Sequence, residues 1–486
     1  MDVSPLPGQP AIRRSTPLYV DLDGTLVRSD TFIDTLFMLL RRQPWLLPML
    51  ALWLRGGRAR LKREVARRLV PDPALWPWVP ELLDWLRGQA ASGRKLILAT
   101  ASDRAVAESV AAHLGIFTRV LASDGRTNRR AGAKLAAIRE ELGGAPFAYA
   151  GNSRDDLHLW RDAAECICVN LPASVERVLR TEGIRPVLEI NDRRPRARAL
   201  LSVMRPVQWV KNLLLFLPML LAHRLFDPAA IEASLLAFVA FCCVASSIYI
   251  FNDLMDLEAD RQHPRKRERA LARGDLPLSQ AWALMKGLGI AGLALSLWLP
   301  WAFTIALFVY LWLTLCYSLW FKRLLLVDVV LLALLYLLRI ESGGLAVQVS
   351  LTPWLLGFSL FFFLSLALVK RYAELLARSR EHRPAPSARG YQLEDRELLA
   401  MFGAASGYLS VLVFALYIQS PETRVLYANP QWLWLLAPVF IWWISRVWLL
   451  ARRGTLKEDA LVFALRDPAS WGGLLLILLA LGLALR

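Results

Sequence analysis

Cysteine and histidine are scarce in this chain, at five each in 486 residues. Five cysteines without a spaced pattern give no disulfide framework. Cys166 and Cys168 sit in a strand-like run, and Cys242, Cys243 and Cys316 in apolar runs, where they read as buried thiols. The lone His113 and His158 read as packing or surface residues. Negative charge is also short, at 41 Asp+Glu against 58 Lys+Arg, a net +17. Such an excess suits nucleic acid or an anionic membrane surface. Here the bases lie in connections between apolar runs, which argues against nucleic acid and for positive-inside topology with anionic headgroups and phosphates. No short-period repeat is present. Residues 1–16 carry Pro and Arg but no long apolar core, so no secretory signal is expected. What the chain has in plenty is apolar surface. It is 56% hydrophobic, more than an ordinary soluble protein of this size carries.

That surface divides the chain in two. Residues 15–191 alternate short apolar runs at 18–20, 95–99, 119–122, 147–150 and 166–169 with amphipathic stretches such as 81–91 and 103–114. This alternation predicts a parallel, Rossmann-like α/β sheet with its site at the strand ends. The stretch 32–54 is unusually apolar and has two readings, a helical cap or a segment lying on the bilayer. Arg41, Arg42 and Pro44 interrupt it, which argues against a span. Residues 199–486 form the second domain. They hold about nine apolar runs near the ~20 residues needed to cross a bilayer: 212–228, 231–251, 281–301, 303–320, 326–345, 352–369, 401–418, 432–450 and 470–485. The connections 261–273, 322–323, 370–389 and 452–466 are basic, and the alternate ones are not. With nine spans, every basic connection shares one side with the soluble domain. Positive-inside then places the soluble domain and the sites on the cytoplasmic face of the cell membrane.

The most telling segment is 252–260, at the end of an apolar run and just before a basic one. In a continuous helix Asn252, Asp256 and Asp260 share one face at i, i+4 and i+8, with Asp253 one position round. Four oxygen-bearing side chains at the end of a membrane span are costly without a function. Hard oxygen ligands suit Mg²⁺, which in turn holds phosphates. Cations accompany them. Lys211 opens the first run, Lys266 follows the aspartates, Lys322 ends the fourth run and Lys370-Arg371 the sixth, with Asp328 starting the fifth. Arg339 and Glu341 fall mid-span and read as functional candidates, with a structural ion pair as the alternative. Carboxylates with metal on one side and Lys/Arg on the other make a clamp for a departing diphosphate.

These residues resemble the UbiA superfamily of intramembrane prenyltransferases, whose NDxxDxxxD signature stands here as 252–260. The resemblance implies an all-α multi-pass domain, Mg²⁺ held by Asn252, Asp253, Asp256 and Asp260, and loss of a diphosphate with Asp256 and Asp260 catalytic. A second aspartate motif normally faces the first. Asp328 is followed by Val329, Val330, Leu331 and Leu332, so its partner aspartate is missing. That departure, with RPxQWxKN at 205–212, YSLWFK at 317–322 and Lys370-Arg371, resembles the decaprenyl-phosphate phosphoribosyltransferase branch. The branch implies phosphoribosyl pyrophosphate as donor and a polyprenyl phosphate as acceptor, with Lys211, Lys266, Lys322, Asp328, Arg339 and Lys370 serving the substrates. Two alternatives stand beside it. One is a prenyltransferase that moves an isoprenoid from its diphosphate to an aromatic or other small acceptor. The other is a transporter or lipid-binding scaffold.

In the first domain, Asp21-Leu22-Asp23-Gly24-Thr25 follows a short apolar strand and resembles motif I of the haloacid dehalogenase (HAD) superfamily. The resemblance implies Asp21 as nucleophile and Asp23 as acid/base. It also implies Thr100 and Lys134 at the phosphate, and Mg²⁺ held by Asp21, Asp23, Asn152 and Asp156. Asn152 stands where that family usually has the first aspartate of GDxxxD. The fusion implies a HAD phosphatase acting on the product of the membrane half.

Overall fold

The computed structural model describes residues 16–485 except 125, 126, 128, 130, 381–389, 457 and 458, and leaves the side chain of Glu422 undescribed. The expectation for residues 1–16, and parts of the basic connections 370–389 and 452–466, fall outside the described residues. The chain divides into two compact units, Met1–Met204 with Ile250–Leu284, and Arg205–Tyr249 with Met285–Arg486.

In the first unit, β1 (Leu18–Val20), β2 (Leu96–Asp103), β3 (Arg119–Ser123), β4 (Ala148–Gly151), β5 (Glu165–Val169) and β6 (Leu188–Ile190) form one parallel sheet in the order β3-β2-β1-β4-β5-β6. Val20 pairs with Leu98 on one side and with Ala150 on the other. Strand residues alternate between two cores. Leu18, Val20, Leu96, Leu98, Ala148 and Ala150 face one layer. Tyr19, Ile97, Ala99, Tyr149, Cys166 and Cys168 face the other. Both faces are covered, which is why the strands read as near-continuous apolar runs. The chain leaves β1 toward β2 on one side and returns to β4 on the other. That reversal opens a crevice beyond the carboxyl ends of β1 and β4. β6 goes beyond the five strands that the sequence pattern predicts.

Three helices are inserted between β1 and β2: α1 (Thr31–Arg42), α2 (Leu47–Arg55) and α3 (Arg58–Arg68). Asp30 caps α1 by accepting from the Ile33 amide at 2.9 Å. Gly57 at φ +90° allows the turn between α2 and α3. Leu39, Leu46, Trp53 and Val65 make a small core of their own. Residues 250–284 fold against this unit. Arg261 meets the buried Asp34 of α1 at 2.6 Å. Arg28 and Arg273 converge on Asp192 at 2.8 and 3.0 Å.

Among the described residues the chain has eight helices long and apolar enough to cross a membrane: Pro228–Met255, Leu278–Ser296, Trp301–Leu319, Val327–Val347, Pro353–Arg380, Arg396–Ile418, Pro430–Arg453 and Pro468–Leu485. The ninth expected run, 212–228, is instead a short helical segment, Pro206–Leu221. It begins as a 3₁₀ helix, Pro206–Phe216, and continues as Leu217–Leu221. Pro206 and Pro218 remove backbone donors, and the buried Lys211 and Asn212 tie it sideways. In the second unit, Gly343 lies so close to the Leu215 carbonyl that any Cβ would collide with it. Gly403 and Gly407 stand against Trp448 and Ile444 in the same way, the close approach that small residues permit between membrane helices.

Candidate functional site

Three sets of polar side chains emerge. The first lies at the crevice of the sheet. The Asp21 amide donates to Ala150 O at 3.0 Å, fixing the turn after β1 against β4. Gly24 holds φ +79°, and a Cβ there would run into the Asn152 side chain, so only glycine serves this turn. Lys134 Nζ meets Asp21 Oδ1 at 2.7 Å and donates to Tyr149 Oη at 2.8 Å. Tyr149 Oη donates to Asp156 Oδ1 at 2.8 Å. Asp156 Oδ2 accepts from the amides of Asn152 and Ser153 at 3.1 and 2.9 Å. Asp23 accepts from the amide and hydroxyl of Thr31, each at 2.7 Å, and from Ser102 Oγ at 2.7 Å.

Asp21, Asp23, Lys134, Asn152 and Asp156 therefore line one cavity of ≈ 630 Å³. Thr100 lies fully buried behind it, its hydroxyl accepting from the Ser102 amide at 3.0 Å. Ser102 and Tyr149 are the two groups that sequence reasoning missed: Tyr149 sits inside a strand run that reads as core, and Ser102 lies beyond the run 95–99, in the part of β2 that the pattern does not predict. Burial pushes the Asp21 carboxyl up to about 7. Lys134 opposes the rise, and the nearby Asp156 and Asp23 carboxylates add to it. Against its own burial, the same carboxylates hold Lys134 above its ordinary value.

Crowded carboxylates of this kind are what a divalent cation relieves, and the donor set is all oxygen. Among the described residues no three His, Cys, Asp or Glu side chains form a metal cage. Magnesium commonly takes one or two carboxylates and keeps several waters, so Asp21 with Asp156, Asn152 and main-chain oxygen fit it.

The second set is the aspartate motif, also in the first unit. The single continuous helix expected through 252–260 does not form. It ends at Met255, and a new one, Leu257–Gln262, starts with Asp256 as its cap at φ −97°, ψ 12°. Two bonds of helical spacing bridge the break, Asp256 N to Asn252 O at 2.9 Å and Asp260 N to Asp256 O at 2.8 Å. Asn252, Asp256 and Asp260 so keep their order along one side. Arg269 spans Asp253 at 3.2 Å and Asp260 at 2.7 Å. Lys266 Nζ stands 3.9 Å from Asp260 Oδ1. That oxygen is buried without a hydrogen-bond partner. An orphaned carboxylate oxygen among further acids suits a cation, so these residues also fit Mg²⁺. Arg269 was hidden in sequence among the many bases of 261–273.

The third set belongs to the second unit. Lys211 meets Asp459 Oδ2 at 2.8 Å, and Lys370 approaches the same oxygen at 3.8 Å. Tyr336 donates to Asp459 at 3.3 Å. Burial would raise the Asp459 carboxyl, yet Lys211 and Lys370 hold it down to about 2. Arg339 does not pair with Glu341. Its guanidinium goes to Asn212 Oδ1 at 3.0 Å, Leu335 O at 2.8 Å and Tyr310 Oη at 2.7 Å. Residues two apart on a helix do not face each other, which is why the alternative of a structural ion pair does not hold. Glu341 Oε2 is buried without a hydrogen-bond partner. Asp328 is enclosed by Arg371 and Tyr391, each at 2.5 Å, and Arg371 continues to Tyr317 at 3.0 Å and Glu374 at 2.6 Å. Asp328 is thus the counterion that fixes Arg371, with both oxygens engaged. Lys322 lies in the short 3₁₀ turn Phe321–Arg323. Asp459 was missed, being one of two adjacent acids, after Glu458, in a connection that reads as basic.

Comparison with known proteins fits this division. Residues 18–161 match the haloacid dehalogenase-like hydrolases. An uncharacterized protein, y4nM, of Sinorhizobium fredii is 35% identical over 94% of this chain and 89% of its own length. Nodulation protein NoeC of Azorhizobium caulinodans is 34% identical over 58% of this chain and 89% of its own. Decaprenyl-phosphate phosphoribosyltransferase of Mycolicibacterium smegmatis is 39% identical over 37% of this chain, a match that spans 58% of that relative. Residues 213–484 match the UbiA prenyltransferase family, more than half of the chain. With the eight apolar helices, this makes the chain an integral-membrane enzyme of the UbiA prenyltransferase family, joined to a haloacid dehalogenase-like domain.

Proposed function

We propose that the membrane half transfers 5-phosphoribose from phosphoribosyl pyrophosphate to a polyprenyl phosphate, and that the HAD domain removes the 5-phosphate from the product. The observation that carries this reading is chemical. The chain has one acidic set with an open carboxylate oxygen, Asp260 Oδ1, one cationic set at Lys211, Lys370 and Arg339, and a separate cleft lined by Asp21, Asp23 and Lys134. A greasy donor with a neutral acceptor requires fewer cations than two anionic substrates do. A curated relative is named for phosphoribosyl transfer to decaprenyl phosphate, which supports the same reading.

In the transfer, the C1–O bond of ribose breaks and pyrophosphate leaves with the bonding electrons. An oxygen of the lipid phosphate then bonds to C1. Asn252, Asp253, Asp256 and Asp260 are the residues that would hold Mg²⁺, whose charge would offset that of a leaving diphosphate. Lys211, Lys266, Lys322, Arg339 and Lys370 bind phosphate oxygens, and Asp328 positions Arg371. In the HAD cleft, the Asp21 carboxylate attacks phosphorus and Asp23 protonates the leaving alcohol. Water then cleaves the aspartyl-phosphate, with Asp23 taking its proton. Lys134 balances the charge on phosphate. Both sites face the cytoplasm in this reading, because the aspartate motif folds with the HAD domain and the flanking connections are basic.

The test is direct. Purified protein in detergent is incubated with Mg²⁺, a polyprenyl phosphate and radiolabelled phosphoribosyl pyrophosphate, and label is followed into the lipid phase. Label in lipid, followed by loss of the 5-phosphate, is expected. A preparation that leaves the lipid unlabelled while turning over a prenyl diphosphate would move the assignment to prenyl transfer onto an aromatic or other small acceptor.

A further inference from the structure

The phosphatase cleft has an unusual wall. Besides Asp21 and Asp23 it is lined by Pro277, Leu278 and Ser279, which open the apolar helix Leu278–Ser296. A hydrolase for soluble sugar phosphates has no need of a membrane span at the rim of its active site. The opposite wall comes from the inserted helices. Phe32, Ile33, Leu54 and Leu61 give it apolar surface, and Arg58 and Lys62 supply charge. The cavity is therefore ionic at its base and greasy at its margin.

That margin continues outward. Leu54 lines the cavity and is also 51% exposed, as the last leucine of α2. Along the same helix and the turn before it, Trp45 is 69% exposed, Leu47 62% and Leu52 56%. A run of large apolar side chains on a soluble domain marks a surface that something covers. Two observations say what covers it. Phe37 of α1 packs edge-on against Trp282, at 5.7 Å between ring centroids, and Trp282 stands near the start of the span Leu278–Ser296. The insert is thus pinned at the level where a membrane helix begins. The apolar residues of α2 are followed by the exposed Arg55, Arg58 and Arg60. An apolar face with a basic flank is the pattern of a helix lying in an anionic interface.

We propose that the HAD cleft takes its phosphoester from a lipid carrier in the bilayer, and that α2 lies in the membrane interface as the ramp between lipid and cleft. The substrate class is a phosphate monoester on a lipid-linked sugar, with the lipid tail remaining in the membrane while the phosphate reaches Asp21. This rests on the phosphatase reading above. It adds that a free sugar phosphate of the same chemistry is a poor substrate.

The experiment uses the full-length protein in nanodiscs of phosphatidylcholine and phosphatidylglycerol, with three probes: p-nitrophenyl phosphate, ribose 5-phosphate and a polyprenyl-phosphoryl-ribose 5-phosphate in the same discs. The lipid-borne probe is expected to exceed ribose 5-phosphate in kcat/KM by about 100-fold. The triple substitution Trp45→Ser, Leu47→Ser, Leu52→Ser is expected to cut that rate about tenfold while leaving p-nitrophenyl phosphate hydrolysis unchanged. A photo-crosslinking residue at position 47 is expected to capture phospholipid, and one at the exposed Arg87 is not. Equal turnover of lipid-borne and free ribose phosphate, or no lipid capture at 47, overturns the proposal and leaves the phosphatase standing. Failure to hydrolyse any of the three probes overturns the phosphatase reading, and the lipid ramp falls with it.

Discussion

The cleft at the strand ends and the charged helix bundle handle the same problem, buried charge, in opposite ways. In the cleft, Asp21, Asp23 and Asp156 stand around one cavity with Lys134 as their near cation, and burial, with the neighbouring carboxylates adding to it, lifts Asp21 to about 7. In the bundle, Asp328 is closed by Arg371 and Tyr391, and Arg339 by Asn212 and Tyr310. The first arrangement is under-neutralised and ready for a cation or a phosphate. The second is held in place, Asp328 by an ion pair and Arg339 by neutral hydrogen-bond acceptors, as a low-dielectric surrounding requires of any charge that is to stay. The aspartate motif stands between these extremes, with Arg269 satisfying part of Asp260 and one oxygen left over.

The largest expected effects test whether the cleft and the motif are separate engines. Asp256→Asn is expected to abolish phosphoribosyl transfer, by about 1,000-fold or more, and to spare hydrolysis at the HAD cleft. Asp21→Asn is expected to do the reverse. Both are read by assaying lipid labelling and phosphate release on one preparation. A single substitution that silences both activities in a folded protein breaks the comparison, since the sites would then be one coupled machine.

Next comes stability. Asp328→Ala removes the buried partner of Arg371 and leaves it only the half-exposed Glu374 and Tyr317, and loss of one partner of a buried pair costs up to about 3–5 kcal/mol. The thermal midpoint in detergent is expected to fall sharply. The double change Asp328→Leu, Arg371→Met is expected to recover most of the loss, because well-packed apolar replacements of a buried pair are often neutral. A double variant as unstable as the single one would show that Arg371 has structural work beyond Asp328.

This contrast also explains what could be read from sequence. Strand-end chemistry is local. Once 18–20 and 147–150 are neighbouring strands of a parallel sheet, register brings Asp21 beside Asn152, and the residues named through the HAD resemblance, Thr100 apart, line one cavity. Tyr149 was not legible, because a hydroxyl inside a strand run reads as core until its neighbours are known, and Ser102 was not, because β2 runs on to Asp103 past the apolar residues that mark it in sequence. In the bundle, partners are set by how helices pack. Nothing in the spacing of Lys211 points to Asp459, 248 residues on. For Arg339 and Glu341 a structural ion pair was the alternative to a functional role, and helix geometry sends the two apart. Continuity through 252–260 failed at Asp256 for a similar reason, since side-chain periodicity does not report a one-residue break in a helix.

A smaller effect follows from Asp459. Its carboxyl is held near 2, below the ordinary 3.8, so its contribution is fully present above 3.8 and disappears as pH falls through about 2. The shift corresponds to roughly 2 kcal/mol. Asp459→Asn is expected to lower the thermal midpoint by a constant amount from pH 8 to about pH 4.5, with the gap narrowing only below pH 4. A gap that closes between pH 8 and 6 would mean that Lys211 and Lys370 are not charged partners of Asp459.

The smallest effect sharpens the account of the cleft. Asn152 offers a neutral amide where an aspartate would add charge beside Asp21 and Asp156. Asn152→Asp raises the like-charge repulsion in the empty cleft, so the metal-free domain is expected to lose stability. The same charge strengthens the hold on a divalent cation, and Mg²⁺ affinity is expected to rise about tenfold, ~1.4 kcal/mol. Calorimetric titration with Mg²⁺, beside the Mg²⁺ dependence of phosphate release, reads both changes. A Mg²⁺ curve that does not move would place the cation away from Asn152, on Asp21 and main-chain oxygen, and the cleft would then be under-neutralised for the sake of the phosphate alone.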